Sequence, residues 1–221
     1  MKDTTSREQI LKKVRAALIH KSRLENPSID FESSIYPEPA EALELVFAQQ
    51  FSEVGGQFIF CENEEDFCYN VHALTTDGSF GQIWCGEKEL QELLNRAKVS
   101  FISSPQEVEK ADTSITACEF LVARTGSILV SSMQGSGRRA PVFPHQHIVV
   151  AKTSQLIYDM KEALKAIKAK YPAGFPSMVT MITGPSRTAD IEKTLILGAH
   201  GPKEIYVFMI DDLPAVNGVE E

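Results

Sequence analysis

The sequence predicts an α/β protein with a mainly parallel sheet flanked by helices and with an N-terminal helical extension. The first observation is that short apolar segments alternate with amphipathic segments of helical length from residue 40 onward. This alternation is typical of βαβ units on a parallel sheet. The second observation is the length of 221 residues, which is enough for one α/β domain with a full core and a small appendage.

The N-terminal region differs in character from the rest of the chain. Residues 6–24 predict an amphipathic helix with an apolar stripe on one face and basic side chains on the other. We expect this helix to pack on the domain or on a second subunit. Prolines among polar residues indicate a linker over 25–39. The predicted organisation is therefore a helix and linker over residues 1–37 and an α/β domain over residues 38–221.

Turn residues such as Gly55-Gly56 separate the predicted elements of the α/β domain. The stretch 115–132 lacks helical periodicity and contains a Thr125-Gly126 turn between two apolar segments. It predicts a short helix or strand followed by a hairpin-like pair. The remaining pattern predicts helices over 40–54, 63–74, 87–97 and 153–169, and strands over 57–61, 81–86, 99–103, 147–151, 178–182 and 204–211.

Composition and charge exclude several classes of protein. A net charge of −8 argues against a nucleic-acid partner. No apolar segment is long enough to span a bilayer, and the polar N-terminus lacks a signal-peptide core, so we expect a cytoplasmic protein. The four cysteines are irregularly spaced without a C-x-x-C pair, which predicts no metal site and no other cofactor on this chain. Cys85 and Cys118 are expected to be buried on strands.

The stretch TGPSRTADIEKTLILGAHGP (183–202) is the most informative motif of the chain. An apolar strand ends at its first residues, and Ile191, Leu195 and Ala199 then follow at helical spacing. A turn between strand and helix can hold an anion on backbone N–H groups. The alternative is an ordinary helix start, because carboxylates in the first turn repel a bound anion. The residues that would form the site are Thr183, Gly184, Ser186, Arg187 and Thr188, and the first-turn carboxylates are Asp190 and Glu192.

Other polar residues are candidates in the middle of the chain. The loop 135–139 (GSGRR) combines flexible backbone with two guanidinium groups, so it either binds a phosphate or carboxylate or is a mobile surface loop. His145 and His147 share a face of an extended chain, but no third metal ligand is close in sequence. We therefore favour a histidine that is hydrogen-bonded at a pocket edge. Arg124 enters a turn between buried strands and requires a partner or a ligand.

Two segments of the chain resemble a known family. ARTGSILVSSMQGSGRRAPVFPHQHIVVA (123–151), together with TGPSRTADIE (183–192) and LGAHGP (197–202), is similar to the LUD-domain family of lactate-utilization proteins, in its LutC/YkgG branch. The resemblance implies a fold similar to the NagB/RpiA/CoA-transferase-like superfamily. It also implies a role in oxidising L-lactate to pyruvate, as the cofactor-free subunit of a complex whose partner subunits carry iron–sulfur clusters.

The resemblance implies which residues surround a substrate cleft but identifies no catalytic residue. Many relatives carry an acidic residue where this chain has Arg124, so its chemistry can differ from theirs. An alternative to the lactate-oxidising subunit is a free-standing enzyme or binding protein for a small anionic or phosphorylated metabolite, similar to an isomerase or a CoA-transferase. The residues expected at the cleft are Gly126, Gly137, Arg138, His147, Thr183, Gly184, Ser186, Arg187, Thr188 and Asp190.

Overall fold

A computed structural model describes residues 5–19, 36–188 and 196–213 of the chain. The chain divides into two compact units, Met1–Glu38 and Pro39–Glu221. The described helix of the first unit is α1 (Ser6–Ile19). The remainder of the predicted N-terminal helix and most of the predicted linker lie outside the described residues.

The second unit contains the predicted alternation of helices and strands. Its elements, in chain order, are α2 (Leu43–Glu53), β1 (Gln57–Cys61), α3 (Glu64–Thr75), β2 (Ile83–Cys85), α4 (Lys88–Arg96), β3 (Thr113–Ala117), β4 (Phe120–Val122), β5 (Ser127–Ser131), β6 (Gln146–Lys152), β7 (Leu156–Ile157), α5 (Met160–Lys170), β8 (Val179–Ile182), β9 (Arg187–Thr188), β10 (Ile196–Leu197) and β11 (Glu204–Ile210). Among the residues described, no helix has both the length and the apolar character needed to cross a bilayer.

The main sheet has five strands in the order β1-β11-β6-β3-β2, and all of its pairings are parallel. The inner strands bury both faces, as β11 illustrates. Tyr206, Phe208 and Ile210 pack in the same core as α3 and α4. The intervening Val207 and Met209 pack in a second core with α2. Side chains that alternate between two apolar cores require helices or a second layer on each side, so the predicted α/β class is confirmed.

A second sheet of four strands has the order β7-β4-β5-β8. The predicted hairpin is confirmed, because β4 and β5 pair antiparallel on either side of the Thr125-Gly126 turn. The strand predicted over 178–182 joins this sheet, where β8 pairs antiparallel with β5. Leu121 and Ile128 of this sheet are completely buried in the core that contains α2. The second sheet therefore forms a layer on the α2 side of the main sheet.

The helix predicted after the Thr183–Ser186 turn is wrong at both described ends. Arg187–Thr188 and Ile196–Leu197 form an antiparallel pair, and residues 189–195 lie outside the described residues. The Ser186 N–H donates to the Pro202 carbonyl at 2.8 Å, and the Gly198 N–H donates to the Ser186 carbonyl at 2.9 Å. The backbone groups that a helix start leaves open are thus paired with the returning chain.

Two other elements differ from their predicted bounds. The helix predicted over 153–169 is divided, because a 3₁₀ turn (Thr153–Gln155) and β7 precede α5. Asp159 ends the extended segment by accepting a hydrogen bond from the Lys161 N–H, which makes it the N-cap of α5. The strand predicted over 99–103 is reduced to one bridge between Ile102 and Trp84.

Candidate functional site

A cleft of about 1160 Å³ lies at the carboxyl ends of the parallel strands. All five strands contribute, through Asn63 after β1, Gly86 and Glu87 after β2, Cys118 after β3, and the last residues of β6 and β11. Parallel α/β sheets bind ligands at this edge, because loops and helix N-termini converge there. We therefore take this cleft as the candidate functional site.

Glu119 is the most extensively bonded ionisable side chain near the cleft. It follows β3, and its side chain is completely buried. Its carboxylate accepts hydrogen bonds from the Ser131 hydroxyl at 2.5 Å, the Tyr171 hydroxyl at 2.7 Å and the Lys170 Nζ at 2.6 Å. Burial alone raises the pKa of Glu119, but the three donors and the Lys170 charge outweigh it and hold the pKa below its ordinary value.

Lys170 and Tyr171 connect this buried carboxylate to the cleft. They lie at the C-terminal end of α5, and both line the cleft. Burial lowers the pKa of Lys170, but the hydrogen bond and charge of Glu119 outweigh it, so the pKa lies above its usual value. Gln155 donates to the Cys118 carbonyl at 2.7 Å and thereby fixes the segment that carries Glu119. The cleft wall therefore contains the charged Lys170 ammonium, which the buried Glu119 carboxylate holds in place.

Glu87 is a second buried carboxyl group at the cleft. It follows β2 at the N-terminus of α4, and its Oε1 accepts a hydrogen bond from the Ser136 N–H at 3.1 Å. Within the described part of the chain, its Oε2 is buried and has no hydrogen-bond partner. Burial raises the pKa of Glu87, and hydrogen bonds from Ser136 and from backbone N–H groups offset this only in part. Ser136 brings the Gly/Arg loop predicted from sequence to the cleft edge.

Four of the predicted site residues are brought together, but at the end of α2. A Cβ at Gly126 would overlap the backbone of Gln50 and Phe51, and one at Gly184 would overlap the Val54 carbonyl. Arg187 donates a hydrogen bond to that same carbonyl. Thr183 contacts the Ser127 hydroxyl at 2.8 Å beside them. This cluster closes the C-terminal end of α2 against the Thr125-Gly126 turn.

Of the other predicted site residues, Ser186 and Thr188 flank Arg187 in the chain, and the rest lie elsewhere. Gly137 and Arg138 are on the loop after β5, where Arg138 donates to the Ser177 hydroxyl at 2.6 Å. Thr188 is in β9, Ser186 precedes it, and Asp190 lies outside the described residues. None of the nine predicted residues that the structure describes lines the cleft. Their role in binding a ligand stays a prediction.

Arg124 has the partner that its position required. Its Nε lies 2.9 Å from Asp159 Oδ2, and its N–H donates to the Tyr158 carbonyl at 3.1 Å. The pair joins the end of β4 to the N-terminus of α5. A structural ion pair with Asp159 therefore accounts for Arg124 at this turn.

His147 is completely buried at the beginning of β6, away from the carboxyl ends that form the cleft. Its Nε2 lies 2.8 Å from the Thr116 hydroxyl, and its Nδ1 has no partner among the described residues. Burial lowers the pKa of His147 to about 3. Across the described residues, no group of three or more His, Cys, Asp or Glu side chains is arranged to hold a metal ion.

His147 is one of the groups that make the stability of the fold decrease at acid pH. The unfolded chain protonates this histidine near pH 6.5, whereas the folded chain does so only at about pH 3. The unfolded state therefore binds more protons between these values, and the free energy of unfolding falls by up to about 1.4 kcal/mol per pH unit as pH decreases. Urea unfolding between pH 7 and pH 4 will show this slope, and His147→Gln will reduce it. Exposed His145→Gln is the control, and equal slopes in the two variants would contradict the assignment.

The residues that line the cleft are not among those predicted from the sequence. Of the residues that shape it, Glu119 is the one with a signal in the sequence, because a carboxylate within the apolar run ITACEFLVA (115–123) indicates a buried ion pair. Lys170 and Tyr171 carry no such signal, because a lysine at the end of a helix is ordinary. Glu87 carries no such signal either, because an acidic residue at the beginning of a helix is also ordinary.

The fold and the cleft define an α/β domain with a mainly parallel sheet and a cleft at the carboxyl edge of that sheet. The sequence matches the LUD domain over residues 45–210, and the chain belongs to this family. The resemblance drawn from the two motifs is thereby confirmed.

Curated relatives of this chain are named lactate utilization protein C. The one from Shouchella clausii (strain KSM-K16) is 34% identical over 110 residues, which are 49% of this chain and 48% of the relative. The one from Bacillus subtilis (strain 168) is 31% identical over 109 residues, which are 48% and 45% of the two chains. The chain spans about half the length of the curated relatives it matches.

One solved structure shares the fold. The crystal structure of a DUF162 family protein from Deinococcus radiodurans aligns with a TM-score of 0.54 at 19% sequence identity. The alignment covers 76% of this chain and 96% of that one. It supports the α/β architecture described above.

Proposed function

We propose that this protein acts in lactate utilization in the cytoplasm, as a cofactor-free subunit of an iron–sulfur complex that oxidises L-lactate to pyruvate. The observation that carries the proposal is a LUD domain with relatives named lactate utilization protein C and with a cleft at the carboxyl edge of its sheet. The iron–sulfur clusters belong to partner subunits, and this chain binds the small carboxylate in its cleft.

The proposed complex accounts for the electrons and the protons that the reaction releases. Oxidation of L-lactate to pyruvate removes two electrons and two protons from the C2–hydroxyl group. The electrons pass to the iron–sulfur centres of the partner subunits, and the protons pass to water or to side chains at the cleft. What this chain contributes is binding and orientation, which lower a barrier by holding the reacting group in place.

Purification from the native cell tests the assembly. Affinity-tagged protein from cells grown on L-lactate is expected to co-purify with coloured iron–sulfur proteins, identified by visible absorption and mass spectrometry. The chain purified alone is expected to be colourless and inert with L-lactate. A tagged protein that elutes without partners from such cells, or that oxidises lactate alone, would contradict the proposal.

The second candidate is a free-standing enzyme for a small anionic metabolite, and two carboxyl groups favour it. Glu87 and Glu119 both adjoin the cleft, and their surroundings shift their pKa values in opposite directions. Separated pKa values are a property of acid–base pairs in enzymes. This candidate predicts turnover without partners that Glu87→Gln abolishes and that Glu162→Gln, an exposed change outside the cleft, retains. If both variants retain turnover, Glu87 has no part in the mechanism.

A further inference from the structure

Resting on the function proposed above, we propose that Lys170 anchors the carboxylate of a small monoanionic ligand in the cleft. In the same proposal, Glu119 is a positioning residue, which holds the Lys170 ammonium in place and does not contact the ligand. The ligand class is a short monocarboxylate such as a 2-hydroxy acid, and not a phosphorylated metabolite.

Three hydrogen-bond donors hold the Glu119 carboxylate in one position. Its side chain is completely buried, and its three donors come from two places in the chain: Ser131 on β5, and Lys170 and Tyr171 at the end of α5. A buried carboxylate requires such partners, because removing a charge from water is costly. The position of the ammonium is therefore set by the fold, which is the preorganisation that a binding site needs.

The Lys170 ammonium has hydrogen-bonding capacity that Glu119 does not use. An ammonium has three N–H donors, and Glu119 Oε2 is the single hydrogen-bond acceptor found for them in the described part of the chain. The side chain lines the cleft and is 49% exposed. Two donors therefore remain for a ligand, and a carboxylate placed on them forms charge-assisted hydrogen bonds.

The charges around the Lys170 ammonium are mainly negative. The described residues that line the cleft include seven carboxylates and four basic side chains. Arg96 is engaged with Glu64 at 2.5 Å and with Glu65 at 3.0 Å. Lys88 and Lys152 are exposed. Lys170 differs from these two lysines and from Arg96 because its partner, Glu119, is a buried carboxylate that fixes its position. Repulsion from the surrounding carboxylates grows with ligand charge, so the cleft favours one negative charge over two.

Calorimetric titration of the full chain with L-lactate and with inorganic phosphate tests the ligand class. L-lactate is expected to bind about tenfold more tightly than phosphate, because the surrounding carboxylates repel the second negative charge of phosphate. Tighter binding of phosphate would overturn the monoanion assignment while leaving a ligand site in the cleft. Binding of neither probe would contradict the proposed function itself and this proposal with it.

Variants of the same chain test the two residues. Lys170→Met is expected to weaken lactate binding by about tenfold or more, and the double variant Glu119→Gln/Lys170→Met, which buries no unpaired charge, by a similar factor. Lys170→Arg restores the cation and is expected to bind within about threefold of the natural chain. Lys168→Met, exposed on the same helix, is the matched control and is expected to bind unchanged.

Glu119→Gln separates positioning from folding. Measured well below its unfolding temperature, this variant is expected to bind lactate about threefold or more weakly, because the ammonium loses its fixed partner. Unchanged binding in Glu119→Gln would overturn the positioning role of Glu119. Unchanged binding in the double variant would overturn Lys170 as the anchor, while lactate binding by the natural chain would still support the proposed function.

Discussion

Lys170→Met is expected to lower the free energy of unfolding by about 3 kcal/mol, although its side chain is half exposed. The reason is the partner it leaves behind, since Glu119 is completely buried and its charge would lose the ammonium. Glu119→Gln leaves the ammonium instead, which can turn toward water. We therefore expect a smaller loss for that variant, about 1.5 kcal/mol. Urea denaturation at pH 7 measures both.

The double variant and an exposed control define the outcome. Glu119→Gln/Lys170→Met is expected to lose less stability than the sum of the single variants, because neither charge remains without its partner. Exposed Glu92→Gln is expected to change stability by less than about 0.5 kcal/mol. Additive single effects, or a Glu119→Gln variant less stable than Lys170→Met, would contradict the buried pairing.

Gly126→Ala is expected to be the other severe substitution, with a loss of at least about 3 kcal/mol. The φ angle of Gly126 is 56°, a left-handed conformation that disfavours side chains. An added Cβ would also overlap the backbone of Gln50 and Phe51 in α2, which cannot move aside as a side chain can. The thermal midpoint and the urea midpoint are both expected to fall.

Gly137→Ala separates the two causes of that loss. Gly137 has a similar φ of 62°, but an added Cβ would meet no atom within 4 Å among the described residues. It therefore reports the conformational cost alone, about 1 kcal/mol. Equal losses in the two variants would show that the close approach of α2 to the Thr125-Gly126 turn does not determine stability at Gly126.

The fold class follows from the sequence because parallel strands carry a strong local signal. The apolar segment EIYVFMI (204–210) is buried on both faces, and QFIFC (57–61) pairs with it in parallel as the edge strand of the same sheet. The segment after Ser186 was not predictable in the same way. Its apolar residues fit helical spacing, but pairing of Gly198 and Pro202 with Ser186 is a tertiary contact that periodicity does not contain.

The family could be predicted from sequence, whereas the cleft could not. The motifs around Gly126 and Gly184 carry the resemblance to the LUD domain, and in the structure the close backbone approach to α2 requires glycine at both positions. These contacts build the fold, so the motif residues lie at the end of α2. The cleft depends on Lys170 and Glu119, which are 51 residues apart and meet only in the folded chain.

Growth of the native host on L-lactate is the most direct test that the cleft serves lactate utilization. Deletion of the gene is expected to prevent growth on L-lactate but not on glucose, and the natural chain or the Lys168→Met variant is expected to restore it. The Glu119→Gln/Lys170→Met variant, shown to be folded and present at normal levels, is expected to fail. Full growth with that variant would contradict the cleft as the functional site, and full growth of the deletion strain would contradict the role in lactate utilization.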